Sequence, residues 1–276
     1  MVAASGVAGV AARSGALAGP VTLEQRPFRS LFVEAYAAAP FDPSGPPPAP
    51  VLSNKPFDAP GEVDDSNSAT QSFRGEGGFR SDAVASVSLR GVLGPELVTA
   101  SVRLSVNSSY SGPDSPVLPP PAEAVAQTHA ATRLFVSEPV RVTFDLTADL
   151  PDNAIFSPTN QELGRREARV EIRQNEREGG ALLLGADLRD PGHFVRHGST
   201  VLPPDDYWLT YAFRIDDLAH GDESYQGSAE LSVTFEPVSI PLPPAVAAAA
   251  AMLSITVAMA RRSQPRSGER NISSRR

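Results

Sequence analysis

Residues able to do chemistry are sparse in this chain of 276 residues. The stretch "HFVRH" sets His193 and His197 four apart, a spacing that brings two imidazoles onto one metal only in a helical segment. Asp190, Pro191 and Gly192 just before it predict a loop instead, which leaves both histidines exposed or structural. Three acidic pairs, Asp205-Asp206, Asp216-Asp217 and Asp222-Glu223, offer the hard oxygen ligands that calcium prefers. None follows the spacing of a calcium loop, so solvated turns are their expected setting. The chain has no cysteine, which excludes a thiol nucleophile, a thiolate metal site and a disulfide framework. It also lacks G-x-S-x-G, a Gly-rich phosphate loop and a Walker-type lysine. The sequence therefore predicts no catalytic site, no cofactor and no metal. Its one tryptophan, Trp208, stands in "LPPDDYWLTYAF" on the face of Thr210 and Arg214. An indole there either stacks on a sugar ring, as a carbohydrate contact, or packs partly covered by its neighbours.

The elements that must carry these residues read as strands. In "LVTASVRLSV", Val98, Ala100, Val102, Leu104 and Val106 alternate with Thr99, Ser101, Arg103 and Ser105. In "VRVTFDLTA", Val140, Val142, Phe144, Leu146 and Ala148 oppose Arg141, Thr143, Asp145 and Thr147. The same period of two runs through Ala168-Val170-Ile172, Tyr207-Leu209-Tyr211-Phe213-Ile215 and Leu231-Val233-Phe235. "SLFVEAY" from Ser30 and "DAVASVSL" from Asp82 are further candidate strands. Alternation marks strands buried on one face, hence antiparallel sheets, and two such sheets bury their apolar faces on one another. The expected fold is all-β, an antiparallel β-sandwich of jelly-roll-like or immunoglobulin-like kind. With 27 prolines and 21 glycines it should carry long Pro-rich loops, placed at residues 39–70 and 111–124.

Charge divides the chain unevenly. The net charge is −8. From Val238 onward there are six arginines against Glu269 alone, a net of +5, which leaves −13 for everything before. A body that acidic is repelled by nucleic acid and by anionic membrane surfaces. The basic end belongs to "IPLPPAVAAAAAMLSITVAMARR", residues 240–262. Between 245 and 260 no residue is charged; as a helix this run spans about 24 Å against a hydrocarbon core of roughly 30 Å. It has neither an apolar stripe nor a polar face, unlike a surface helix on a core. Pro241, Pro243 and Pro244 keep the preceding segment extended. Arg261 and Arg262 stand where the positive-inside rule puts a cytoplasmic end. A single C-terminal transmembrane helix is expected.

This order of prolines, apolar helix and arginine pair resembles the PEP-CTERM class of sorting signals, and in particular the VPLPA-CTERM type. Ile240 takes the place of the leading valine, Pro241, Leu242 and Pro243 match, and Pro244 precedes Ala245. The resemblance covers about a tenth of the chain. It implies a substrate of an exosortase-like processing enzyme in a Gram-negative bacterium, with cutting near the proline motif. It further implies that the helix rests transiently in the inner membrane while Arg261 and Arg262 stay inside. Such a protein must be exported. Residues 1–18, with an apolar run from Val2 to Ala12 and the small-residue pattern Ala16-Leu17-Ala18, read as a signal peptide without a basic n-region.

The resulting layout is a signal peptide over 1–18, a β-sandwich over 26–237, the sorting signal over 238–262 and a basic tail over 263–276. The expected function is that of a non-enzymatic cell-surface or extracellular-matrix protein with exopolysaccharide as its partner class. The competing expectation is a secreted jelly-roll hydrolase or lyase acting on polysaccharide, which needs two carboxylates about 5–9 Å apart in a concave groove.

Overall fold

A computed structural model describes residues 19–37, 49–74, 80–111, 122–152, 165–218 and 223–238. These form thirteen strands and, among the described residues, no helix. One sheet, sheet A, runs in the order β10 (Leu182–Leu188), β9 (Arg166–Gln174), β12 (Asp205–Leu218), β7 (Ala122–Val136), β2 (Phe28–Ala37) and β3 (Val51–Phe57). The short β1 (Val21–Leu23) also pairs with β7. Sheet B runs β11 (Gly192–Leu202), β8 (Val140–Leu150), β13 (Glu223–Pro237), β6 (Leu97–Ser111), β5 (Arg80–Leu93) and β4 (Gly61–Arg74). Every pairing is antiparallel, so the expected antiparallel β-sandwich is the architecture found.

Alternation decides which side of each strand faces the core. Tyr207, Leu209, Tyr211, Phe213 and Ile215 of β12 are buried, as are Val140, Val142, Phe144, Leu146 and Ala148 of β8. Each valine, leucine, isoleucine or phenylalanine among them contributes about 1.5–3 kcal/mol when taken fully out of water. From β6 onward the pairs nest: β6 with β13, β7 with β12, β8 with β11 and β9 with β10. The chain thus folds back along itself while passing between the sheets.

Three expectations are corrected. Most of the loop placed at 39–70 is strand, since β3 and β4 occupy 51–57 and 61–74; residues 39–48 lie outside the described residues. The strand signal was missing because β4 carries Asp65, Asn67 and Gln71 where its neighbours carry apolar side chains. Asn67 Nδ2 donates to Leu31 O (2.9 Å) and Ser53 O (3.1 Å) across the gap between sheets. Gln71 reaches Ala49 O and Ala37 N, each at 3.0 Å. The loop placed at 111–124 also shrinks, because Ser111 closes β6 and Ala122 opens β7. Finally, His193 and His197 lie on a strand, not in a loop: Gly192, at φ 128°, makes the turn and the strand begins there.

The crossing from β3 to β4 is fixed by the buried Arg29 of β2, whose guanidinium donates to Ala59 O (2.5 Å) and Gly61 O (3.4 Å). The three-residue connection after β7 holds both ends of the body. Ser137 N donates to Pro20 O and Val238 N donates to Pro139 O, each at 2.9 Å. Two compact units divide the chain after Val238. The second, with the sorting motif Ile240–Ala245, the expected transmembrane run and Arg261-Arg262, lies outside the described residues. Residues 1–18 lie outside them too. Among the described residues no helix is long and apolar enough to cross a membrane.

Candidate functional site

The outer face of sheet A carries the most concentrated chemistry. Alternation sends Glu167, Arg169, Glu171 and Arg173 of β9 outward, beside Trp208, Thr210, Ala212 and Arg214 of β12. Beyond them stand Gln127, His129 and Arg133 of β7. The β9–β10 hairpin turns over this face through Asn175 (φ 64°) and Gly179 (φ 95°). Arg173 holds the turn, donating to Gly180 O (3.0 Å) while pairing with both carboxylate oxygens of Glu171 (2.9 and 3.2 Å). From the hairpin Arg177 extends across β12 until its NH2 lies 3.0 Å from His129 Nε2, with Phe28 5.9 Å away. Beneath it is a hollow of about 330 Å³, floored by Thr210 and Ala212 and walled by Glu167, Arg169, Glu171 and Arg173.

Electrostatics set what this hollow can do. Burial, then the charges of Arg177 and Arg169, hold the His129 imidazole down at about 4. It is neutral near pH 7 and serves as an acceptor toward Arg177. Arg169 lies 3.0 Å from Glu167, though its Nε is not aligned for a hydrogen bond. Alternating guanidinium and carboxylate groups above a hydroxyl floor suit a ligand rich in both donors and acceptors. Trp208 flanks the hollow, with Arg173 and Arg133 as its two ladder neighbours, and is half-buried. Phe135 continues the strip, 38% exposed, with the Arg133 guanidinium 5.1 Å from its ring centre.

Farther along the same face, Glu123, Glu167 and Asp216 surround Arg214, which binds both oxygens of Asp216 at 2.6 Å, and Glu34 stands beside Glu123. Burial raises Asp216 despite that guanidinium. Burial, then the neighbouring Glu34 and Asp216, raises Glu123.

The outer face of sheet B is different in kind. Ser66, Ser86, Ser88, Arg103, Ser105 and Ser228 line a hollow of about 510 Å³. A second, of about 840 Å³, is lined by Thr99, Ser101, Thr147, Asp145 and Glu230 among others. At its edge the two histidines pair with their ladder partners, His193 Nδ1 with Asp149 and His197 Nδ1 with Asp145, each at 2.6 Å. The His193 hydrogen bond holds the Asp149 carboxyl below its usual range. Among the described residues no group of three or more His, Cys, Asp or Glu could hold a metal.

The acidic pairs do not converge. Asp205 accepts from Gln174 Nε2 (2.7 Å) and Asp206 pairs with Arg133 (2.5 Å) at one end of β12. At the other end Asp216 is bound by Arg214, while Asp217 is fully buried and accepts from the Ser108 hydroxyl. Asp222 lies outside the described residues. Sequence reading found Trp208 but missed His129, Arg173 and Arg177. "REARVEIRQNEREGG" did carry a signal, in charges alternating in sign with apolar residues between them. That pattern marks a strand whose outer side is an ion-pair surface.

No family model and no curated protein matches the chain. Among solved structures it is similar to the enzymatically active domain of tailspike protein 4 of bacteriophage CBA120, with 12% identity and a TM-score of 0.22. That alignment covers 63% of this chain and 19% of that one, so the chain spans about a fifth of the tailspike's length. It is also similar to the VP2 subviral particle of infectious bursal disease virus, with 10% identity over 87% of this chain and 74% of that one and a TM-score of 0.26. The Gx strain of the same virus gives 7% identity, 79% and 59% coverage and a TM-score of 0.23.

Proposed function

We propose that this is an exported, non-catalytic surface or matrix protein that is delivered by an exosortase-like system and contacts exopolysaccharide. The observation that carries the reading is the tripartite end: Ile240–Ala245 with its prolines, the uncharged run over 245–260, then Arg261-Arg262. Nested strand pairing supports a jelly roll over an immunoglobulin-like body. The strip of Trp208, Phe135, Arg133 and Arg173 beside the Thr210 hollow is the expected sugar contact. Intact mass of the protein from its native host should place the C-terminus between Ile240 and Ala245, and P241A/P243A should leave it uncut and membrane-bound. Retention of Arg276, or normal processing of the double variant, sinks the sorting reading. The single tryptophan makes sugar binding directly readable, since exopolysaccharide should shift its fluorescence and an unchanged spectrum at saturation would exclude the contact.

One observation favours a second reading, a secreted jelly-roll hydrolase or lyase. Asp145 and Glu230 line the same hollow at diagonal ladder positions, since Thr147 faces Glu230 and Asp145 faces Ser232. Diagonal ladder positions lie about 7–8 Å apart, close enough for their side chains to bring two carboxylates within the roughly 5–9 Å such a pair requires. New reducing ends released from polysaccharide by the protein, and abolished by E230Q, would establish that reading.

A further inference from the structure

We propose that β11 is an interface strand to which a second copy of this chain adds its own β11, antiparallel, about a twofold axis through Gly198. This inference stands apart from the sorting reading and rests on the edge itself. Among the described residues β11 pairs only with β8, over eleven residues in unbroken register. Among the described residues its other side pairs with no strand, and the one side-chain bond to its backbone is from Arg196 NH1 to Val195 O (3.1 Å). Natural edges are usually blunted by a lysine, a proline, a bulge or a cover. Here β3 has Lys55 and Pro56, and β10 has a register break at Leu182–Leu184. Strand β11 has no lysine, proline or bulge, its one arginine, Arg196, folds back over the Phe194 ring (5.6 Å), and it exposes two valines, Val195 at 62% and Val201 at 47%.

The occupant follows from the sequence "VRHGSTV", residues 195–201, which is close to symmetric about Gly198. Antiparallel pairing about that centre sets Val195 opposite Val201 of the second copy, twice over. Arg196 then meets Thr200 and His197 meets Ser199, so no cation faces a cation. Shifting the axis to His197 would stack imidazole on imidazole and set Val195 against Ser199, losing both apolar pairs. Val195 and Val201 share the outer face of sheet B, being partners of Thr147 and Arg141, so the opposed valines do meet. Gly198 itself is fixed from inside the fold. A Cβ there would lie 2.5 Å from Phe144 Cε1, so the centre of the strand stays bare.

Sedimentation of the full chain in mild detergent, across a concentration series, should show a monomer–dimer equilibrium. V195K/V201K should weaken the dimer by roughly thirtyfold, with an unchanged unfolding midpoint at dilutions where the parent chain is monomeric, because both sites are exposed there. The cysteine-free background allows a sharper test. V195C/V201C should form interchain disulfides on mild oxidation, whereas either single variant should not. A chain that stays monomeric throughout, a dimer that V195K/V201K leaves intact, or crosslinking by the single variants would each overturn the proposal. Pairing of β11 with a different polypeptide, seen as a heterocomplex lost in V195K/V201K while the chain alone stays monomeric, would overturn it as well.

Discussion

Along one side of the sandwich β3 and β4 are stitched across the gap between the sheets. Along the other, β10 and β11 lie side by side and, among the described residues, no hydrogen bond joins them. The stitched side uses Asn67 and Gln71, whose amides satisfy the backbone of β2 and of the chain entering β3. Ser53 Oγ donates to Asn67 Oδ1 (2.8 Å), and Lys55 meets Asp65 at 2.5 Å. The loose side leaves a hollow of about 270 Å³ between Asp187, Arg189, Phe194 and Arg196, and it exposes Leu182 as well as the two valines. Polar side chains aimed inward close an edge by giving up apolar contact. Leaving them out keeps an edge available for association.

The difference can be broken at its strongest point first. Asn67→Ala removes two donated bonds and the acceptor for Ser53, and should cost about 2–3 kcal/mol in chemical denaturation. Gln71→Ala, with two backbone partners, should cost about 1–2 kcal/mol by the same measurement. If both variants are neutral, the stitched edge is no more cohesive than the loose one.

Next in size is a pH effect on the loose side, where the hairpin leading into β10 is held by Arg177 against His129. The unfolded chain binds this proton near the usual 6.5 and the folded one only near 4. Stability from this site is therefore whole above about 6.5 and is lost as pH falls toward 4. Solvent screens the half-buried ring, so the loss should be smaller than the Gln71 effect. His129→Gln should flatten the stability–pH curve between pH 6.5 and 4 relative to the parent chain; an unchanged slope would remove the Arg177 clasp from the account. Smallest of all, V195T and V201T should each shift monomer stability by no more than about 0.5 kcal/mol. A larger loss would mean that the loose edge is part of the core after all.

How much of this was legible follows from which strands alternate. Strands β6, β8 and β13 bury one face and solvate the other, and β12 sets apolar inner residues against mostly polar outer ones although Thr210, Ala212 and Asp216 are buried, so their period of two was visible in sequence. Strand β7 hid because Val125 and Ala131 on its outer side are buried along with its inner residues. Its alanines also favour helix as readily as strand. Strands β4 and β11 hid for opposite reasons, one setting Asp65 and the amides of Asn67 and Gln71 at inner positions and the other being exposed along most of its length. Trp208 was placed correctly by alternation. Its neighbours Arg133 and Arg173 come from β7 and β9, and pairing over that distance in sequence leaves no local mark.

The short connection at 137–139 grips the polypeptide both where it enters, through Pro20, and where it leaves, through Val238. Mechanically, both ends of the body are held by one short segment. Tension on the departing chain pulls along β13, which lies between β6 and β8 with twelve ladder partners on one side and ten on the other. Both ladders are then loaded in shear, so their bonds must fail together instead of peeling one at a time. A pull applied at Val238 is therefore taken up by a strand paired along both of its sides, and the body should resist unravelling from that end.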